Sequence, residues 1–299
     1  MFDIKSFYEA KTVADAIAAL SADPGAQVIC GGTDVLIRVR EGKDAGKSLV
    51  SIHNIPELKG IEMEADGTIV IKPATSFSHI TNHRLIKRHL NMLGEAVDQV
   101  GGPQIRNVAT IGGNICNGAT SADSASTMCT LNAVVRLEGP DGVREIPVTE
   151  FYTGPGRTVR KQNEVCTAFL IKKEEYEGWE GHYIKYGKRK AMEIATLGCA
   201  VRVKLSADKK TVEDVRLAYG VAAPTPIRCR ATEDAVKGMR TDDPGLYQVF
   251  SETALTEVNP RTSWRASKEF RVQLIRELAV RALKESIRLA GGETNAQDY

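Results

Sequence analysis

Two glycine pairs framed by polar residues are the first places in this sequence where chemistry could be done. Gly31-Gly32 follows a short apolar run and leads into Thr33 and Asp34; Gly112-Gly113 sits between Thr110-Ile111 and Asn114. A tight turn without Cβ atoms lets an anion approach backbone N–H groups, and the pyrophosphate of a dinucleotide needs such an approach. Thr33 can add a hydroxyl donor at the first pair, and Thr110 and Asn114 flank the second with polar side chains. A lone pair of this kind is a weak signal, because a strand that ends in Gly-Gly is more often only a turn. Two pairs in one chain strengthen it modestly.

Other signatures fail on inspection. Gly154-Pro155-Gly156 would need glycine at 159 to complete G-x-G-x-x-G, and the residue there is Val159. That argues against a Rossmann dinucleotide domain. The segment from Gly42 to Ser48 is one residue short of a P-loop, with Glu41 where glycine is required. His79 and His83 stand at i and i+4 but lack the glutamate of H-E-x-x-H, so they read as an exposed polar helix face and no metal site is expected. Six cysteines, at 30, 116, 129, 166, 199 and 229, are never closer than 13 residues, so no iron–sulfur or zinc run exists. They read as free thiols, mostly in the core. With no nucleophile elbow and no Ser-His-Asp cue, any chemistry must come from a bound cofactor.

The elements that would hold such a cofactor are those of an ordinary globular protein. The 299 residues are 42% apolar and 26% charged, and 40 basic residues against 38 acidic leave a net charge of +2. That balance gives no case for nucleic acid. No apolar stretch approaches the roughly 18 residues of a membrane helix, and the N-terminus has no signal-peptide pattern, so a cytoplasmic protein is expected. Thr12 should cap a helix to Leu20, with Asp15 in an approximate capping box, and Asp23-Pro24-Gly25 should stop it. Strands are expected at Gln27–Cys30 and Ser48–Ile52, a joint at Asn54-Ile55-Pro56, and a hairpin over 61–73 turning at Asp66-Gly67. Helices follow at 76–88, 92–99 and 122–131, then a hairpin from Val134 to Val148 turning at Asp141-Gly142. From His182 the pattern turns to strands, at 182–186, 197–205 and 215–221, and two helices close the chain near 246–258 and 267–290. The last should pack through Phe270, Leu274, Leu278 and Ala282.

Several longer segments carry a resemblance. They are Gln104 to Asn114, Gly118-Ala119-Thr120-Ser121-Ala122-Asp123-Ser124, Tyr219 to Arg228, and Ser263-Trp264-Arg265-Ala266-Ser267-Lys268-Glu269-Phe270-Arg271. On these, and over nearly its whole length, the chain resembles the FAD-binding subunits of bacterial xanthine dehydrogenases, within the molybdenum hydroxylase flavoprotein subunits. The resemblance implies an α+β fold: a vanillyl-alcohol-oxidase (PCMH)-type FAD-binding domain at 1–177, with two α/β lobes of about 1–55 and 56–177. A C-terminal α+β domain of the CO-dehydrogenase-flavoprotein type would occupy 178–290, and a flexible tail 291–299.

It also implies a set of FAD contacts. Gln27, Val28, Ile29, Cys30, Gly31, Gly32, Thr33 and Asp34 would form the first loop; Gly101, Ala109, Thr110, Ile111, Gly112, Gly113 and Asn114 the second. Asp123 would hydrogen-bond near the flavin, Val165 or Cys166 would lie beside its ring, and Lys185 would reach its edge or a nicotinamide. Val100 and Cys166 depart from the family, where an aromatic residue and a leucine are common. A partner with a molybdenum cofactor would oxidise a purine, and another with two [2Fe–2S] clusters would relay the electrons. FAD on this chain would pass them to NAD, and the chain alone would be inactive toward purine. The rivals are a self-sufficient PCMH-type flavoprotein oxidoreductase, a module that binds FAD only structurally, and a flavoprotein subunit serving nicotinate or CO.

Overall fold

The computed structural model describes residues 2–294. Thr12 begins the first helix as its position predicts, its hydroxyl accepting from the Asp15 N–H at 3.1 Å. The Asp15 carboxylate takes the Lys11 N–H, so the expected capping box is displaced by one residue. This helix, α1 (Val13–Ala22), buries Val13, Ala16, Ile17 and Leu20 and stands between β1 (Ile4–Glu9) and β2 (Gln27–Ile29) in the chain. With α2 (Val35–Arg40) and β3 (Lys47–Ser51) it completes the first lobe, whose three strands run parallel in the order β1-β3-β2.

The second lobe opens with the expected hairpin of β4 (Ile61–Met63) and β5 (Ile69–Ile71), where the Asp66 carboxylate accepts from the Thr68 N–H. Short helices follow: α3 (Phe77–Asn82), α4 (Arg84–His89), α5 (Asn91–Asp98), α6 (Pro103–Val108), α7 (Ile111–Cys116) and α8 (Asp123–Thr130). The single helix expected over 76–88 is broken at His83. Its backbone is extended and its Nδ1 accepts from the Leu85 N–H, which ends one helix and caps the next. His79 and His83 stack at 5.5 Å, and among the described residues no three metal-ligating side chains gather.

The lobe closes with β6 (Val134–Gly139), β7 (Gly142–Pro147), α9 (Val148–Phe151), β8 (Tyr152–Gly154), β9 (Arg157–Thr158) and β10 (Val165–Ile171). Its five-stranded sheet, ordered β4-β5-β10-β6-β7, is antiparallel at every pairing. Two hairpins, β4-β5 and β6-β7, flank the central β10, and the helices α3 to α8 carry the chain across from one hairpin to the other.

The third unit is an antiparallel sheet of β11 (Glu180–Tyr186), β12 (Leu197–Leu205), β13 (Val212–Gly220) and β14 (Ile227–Arg228), with α10 (Arg230–Val236), α11 (Pro244–Glu257) and α12 (Lys268–Leu289). Both faces of the sheet are covered. Val201, Val203, Leu217 and Tyr219 share a core with α11 and α12, whereas Ala200 packs with Met92 and Ala96 of the second lobe. Of the stripe expected on α12, Leu274, Leu278 and Ala282 are buried, but Phe270 is 42% exposed and lies edge-on to Tyr186. It sits in the first turn, beyond the rim of the sheet's core. Most of the expected tail, 295–299, lies outside the described residues; Gly291 and Gly292 donate to the Arg288 and Ile287 carbonyls and close α12 with a Schellman cap.

Truncating Leu278 to Ala should remove apolar contact at the centre of the third core. The expected loss is about 2–5 kcal/mol, read as a lower urea midpoint at unchanged slope.

Candidate functional site

The two glycine loops touch each other. The turn after β2 brings Gly31 against the end of α6, where a Cβ would stand 2.0 Å from the Val108 carbonyl oxygen. At Gly112, in the first turn of α7, a Cβ would meet Pro73 Cβ at 2.5 Å. No real Cβ tolerates such distances, so these glycines serve backbone-to-backbone packing, one of them between the lobes. The Asn117 amide crosses the same junction and donates to the Asp34 carboxylate at 3.2 Å.

Free N–H groups are not what the second pair offers. The first-turn donors of α7 are all engaged within the protein: Ile111 to the Thr75 carbonyl, Gly112 to that of Pro73, Gly113 to Thr110 Oγ1 and Asn114 to the Thr110 carbonyl. Side chains remain. Thr110 Oγ1 accepts from Gly113 and keeps its own proton to donate. Asn114 Oδ1 accepts from the Ser124 hydroxyl at 2.5 Å, which leaves the Asn114 NH₂ as a donor.

Between the loops lies a cleft of about 890 Å³. It is lined by Gln27, Val28 and residues 30–34 of the first lobe, and by Gly101, Ala109, Thr110, Gly112, Gly113, Asn114 and Asp123 of the second. Val165 and Cys166 of β10 complete the wall. Ile29 and Ile111 point into the cores, and Lys185 is not among the lining residues. Asp44 and Lys47 come from the segment 42–48 that fell short of a P-loop, and Arg38 and Arg160 line the cleft without any prior sequence signal. Arg265 had one: it falls in the 263–271 segment that carries the resemblance, and its guanidinium lies 4.3 Å from the centre of the exposed Trp264 ring. A separate cavity of about 730 Å³ lies beside Trp179 and Arg202, away from both glycine loops.

Lys185 is committed behind the cleft. Its ammonium sits 2.9 Å from Asp123 Oδ2 and 2.9 Å from the Gln99 carbonyl, while the Tyr183 hydroxyl donates to Asp123 Oδ1 at 2.8 Å. Burial pushes the Asp123 carboxyl up, against the opposing pulls of Lys185 and Tyr183. A carboxyl raised on folding contributes most to stability at acid pH, and that contribution is lost as pH rises through its folded value.

Cofactor sites are concave, with volumes of about 300–1,000 Å³ and a few placed polar groups. The cleft fits that size, and its polar inventory is incomplete without a ligand: Gln27 Oε1 is buried with no hydrogen-bond partner. A hydroxyl-bearing, phosphate-linked molecule such as a flavin dinucleotide meets that need. No helix of the described residues is long and apolar enough to cross a membrane.

Comparison with known proteins agrees with this geometry. A family described as the FAD binding domain in molybdopterin dehydrogenase matches residues 2–171, and the CO dehydrogenase flavoprotein C-terminal domain matches residues 182–286. The chain is 43% identical to the xanthine dehydrogenase FAD-binding subunit of Escherichia coli O157:H7, over 98% of this chain and 99% of that one. It is 31% identical to the nicotinate dehydrogenase FAD-subunit of Eubacterium barkeri, over 78% and 79%. Among solved structures, the carbon monoxide dehydrogenase of Hydrogenophaga pseudoflava superposes with a TM-score of 0.91 at 27% identity, covering 97% of this chain and 99% of that one.

Lys185→Met strips the buried carboxylate of its cation. The expected cost is about 3–5 kcal/mol at mildly alkaline pH, shrinking as the pH falls and Asp123 takes a proton. Urea midpoints measured across that range check both the loss and its sign.

Proposed function

Because this chain belongs to the FAD-binding subunits of the molybdenum hydroxylases, we propose that it serves a xanthine or purine dehydrogenase, carrying electrons from partner [2Fe–2S] clusters through its FAD to NAD. The observation that carries the reading furthest is the cleft closed by two loops from separate lobes, with Gln27, whose buried Oε1 has no partner, in its wall. The purine assignment rests on the 43% identity along nearly the entire chain, against 31% for the nicotinate relative.

FAD, when bound, accepts electrons singly and gives up two together as hydride. The protein's task is to hold it and to set its surroundings. Gln27 Oε1 would accept from a ribityl or ribose hydroxyl, and Thr110 and Asn114 would donate with the protons left to them. Val165 and Cys166 would form the wall against the ring. Asp123 would present its remaining lone pairs to the cleft. Lys185 acts through Asp123 rather than by touching the ring, and its charge offsets negative charge gathered on the far side of that carboxylate. The partners in this reading are a molybdenum-cofactor subunit and a [2Fe–2S] subunit.

Reconstitution with those two partners should give purine-dependent reduction of NAD, and this chain alone should give none. Turnover of a purine with NAD by the isolated chain would overturn the reading. Gln27→Leu separates cofactor binding from folding. It removes an unpartnered buried oxygen, so the FAD-free chain should gain about 1–3 kcal/mol of stability. FAD should bind about tenfold more weakly for want of one hydrogen bond. Thermal melts of the FAD-free chain and flavin titration followed by visible absorption check the two effects.

A further inference from the structure

We infer that the cavity beside Trp179 is a second ligand site, in which Arg202 receives the phosphate of a small phosphate monoester. Three arginines, Arg202, Arg216 and Arg228, leave the third sheet toward the second lobe, and they are not equally provided for. Arg216 lies 2.6 Å from the Glu175 carboxylate, and Arg228 lies 2.7 Å from that of Glu233. Arg202 is only 3% exposed, yet no carboxylate of the described residues comes within 4.0 Å of it. A single hydrogen bond, from Nη1 to the Glu175 carbonyl, holds its guanidinium. The Glu175 carboxylate itself is taken by Arg216 and by the Asn132 amide. A buried cation is costly unless an anion meets it, and here the chain does not supply one.

The cavity gives an anion both a route and company. Arg202 forms part of its wall, and close packing keeps it there: a Cβ on Gly181 would stand 2.6 Å from Arg202 Cγ. Lys87 and Arg88, in the last turn of α4, line the same cavity from exposed positions. Neither has a carboxylate of the described residues within 4.0 Å. Lys173 lines it as well, paired with Glu177 at 3.2 Å. The other acids of the wall do not answer Arg202. Asp66 accepts from the Thr68 N–H, and burial pushes the Glu180 carboxyl up against the pull of Arg202 and Lys209. Three cations without a carboxylate partner therefore border one volume.

The chemistry of that border selects the ligand. A guanidinium fork matches the oxygens of a phosphate two at a time, and a lysine beside it adds a point charge. A dianion suits a border of several cations better than a single carboxylate does. The volume, about 730 Å³, far exceeds a bare phosphate, and much of the remaining lining is apolar or aromatic. His89 and Tyr176 stand there with ring centres 5.0 Å apart, beside Leu93 and Met92. The phosphate should therefore carry an apolar or aromatic body that rests on these side chains. The site lies away from both glycine loops, so its failure would leave the FAD reading intact.

Calorimetric titration of the full chain with phenyl phosphate, and separately with inorganic phosphate, tests the site. Phenyl phosphate should bind about tenfold more tightly, because its ring adds apolar contact. Arg202→Met keeps the length and apolar stem of the side chain, and it should weaken phenyl phosphate binding at least about tenfold. The inference is overturned if phenyl phosphate does not bind, or if Arg202→Met binds it unchanged, since the anion then sits elsewhere. Equal affinity for the two probes overturns it as well, because the cavity would then hold a bare ion. Should Arg202→Met fail to fold, Lys87→Gln combined with Arg88→Gln, both at exposed positions, decides the matter. A severalfold loss of phenyl phosphate affinity in that double variant supports the site, and no change overturns it.

Discussion

All eight residues of α8 are buried, and five of them are polar. Such a helix can sit inside a protein only if its polar groups find partners there, because an unpaired buried group loses its water for nothing in return. Thr127 and Thr130 donate back to the carbonyls three residues earlier, and Ser124 donates to Asn114 beside the glycine loop. Ser126 Oγ is the exception, buried without a partner. The third sheet supplies the rest: Tyr183 and Lys185 meet Asp123 at one end of the helix, and Arg216 donates to the Thr130 carbonyl at the other. The cleft inherits its form from this arrangement, since α8 fixes both Asp123 and the neighbour that orients Asn114.

The joint between the third unit and the second lobe is made the same way along its length. Arg202, Arg216 and Arg228 all leave the sheet's inner face, donating to the Glu175 carbonyl, the Thr130 carbonyl and Asn132 Oδ1. Trp179 lies between two of them, with Arg216 4.1 Å and Arg202 5.5 Å from its ring centre. Burial and the nearby Arg216 push Arg202 down, to about 9. A polar joint of this kind selects one docking geometry, because a slipped sheet would strand several cations without acceptors.

Much of the framework was legible in the sequence because it depends on local chemistry. The Thr12 cap, the hairpins at Asp66-Gly67 and Asp141-Gly142, and the two final helices are set by residues a few positions apart. What escaped was set at a distance. β10 is a nearly unbroken apolar run at the centre of the five-stranded sheet, and its period gave nothing to separate it from a core segment of another kind. At the site, the residue types were visible but their engagements were not. Gly31 and Gly112 looked open to an anion, and only Val108 and Pro73, far along the chain from Gly31 and from Gly112, reveal that they make room for backbone. Lys185 looked free to reach a ligand until Asp123, 62 residues earlier, claimed it.

The burial of α8 also bears on how the chain comes apart. Its amide protons are sheltered by two neighbours, the second lobe on one side and the third sheet on the other, so deuterium reaches them only when that sheet lifts away. A fragment cut where β11 begins would leave Asp123, Thr130 and Glu175 facing water across a bare groove, and a limited digest that nicks the loop near residue 178 should leave the two pieces clasped together.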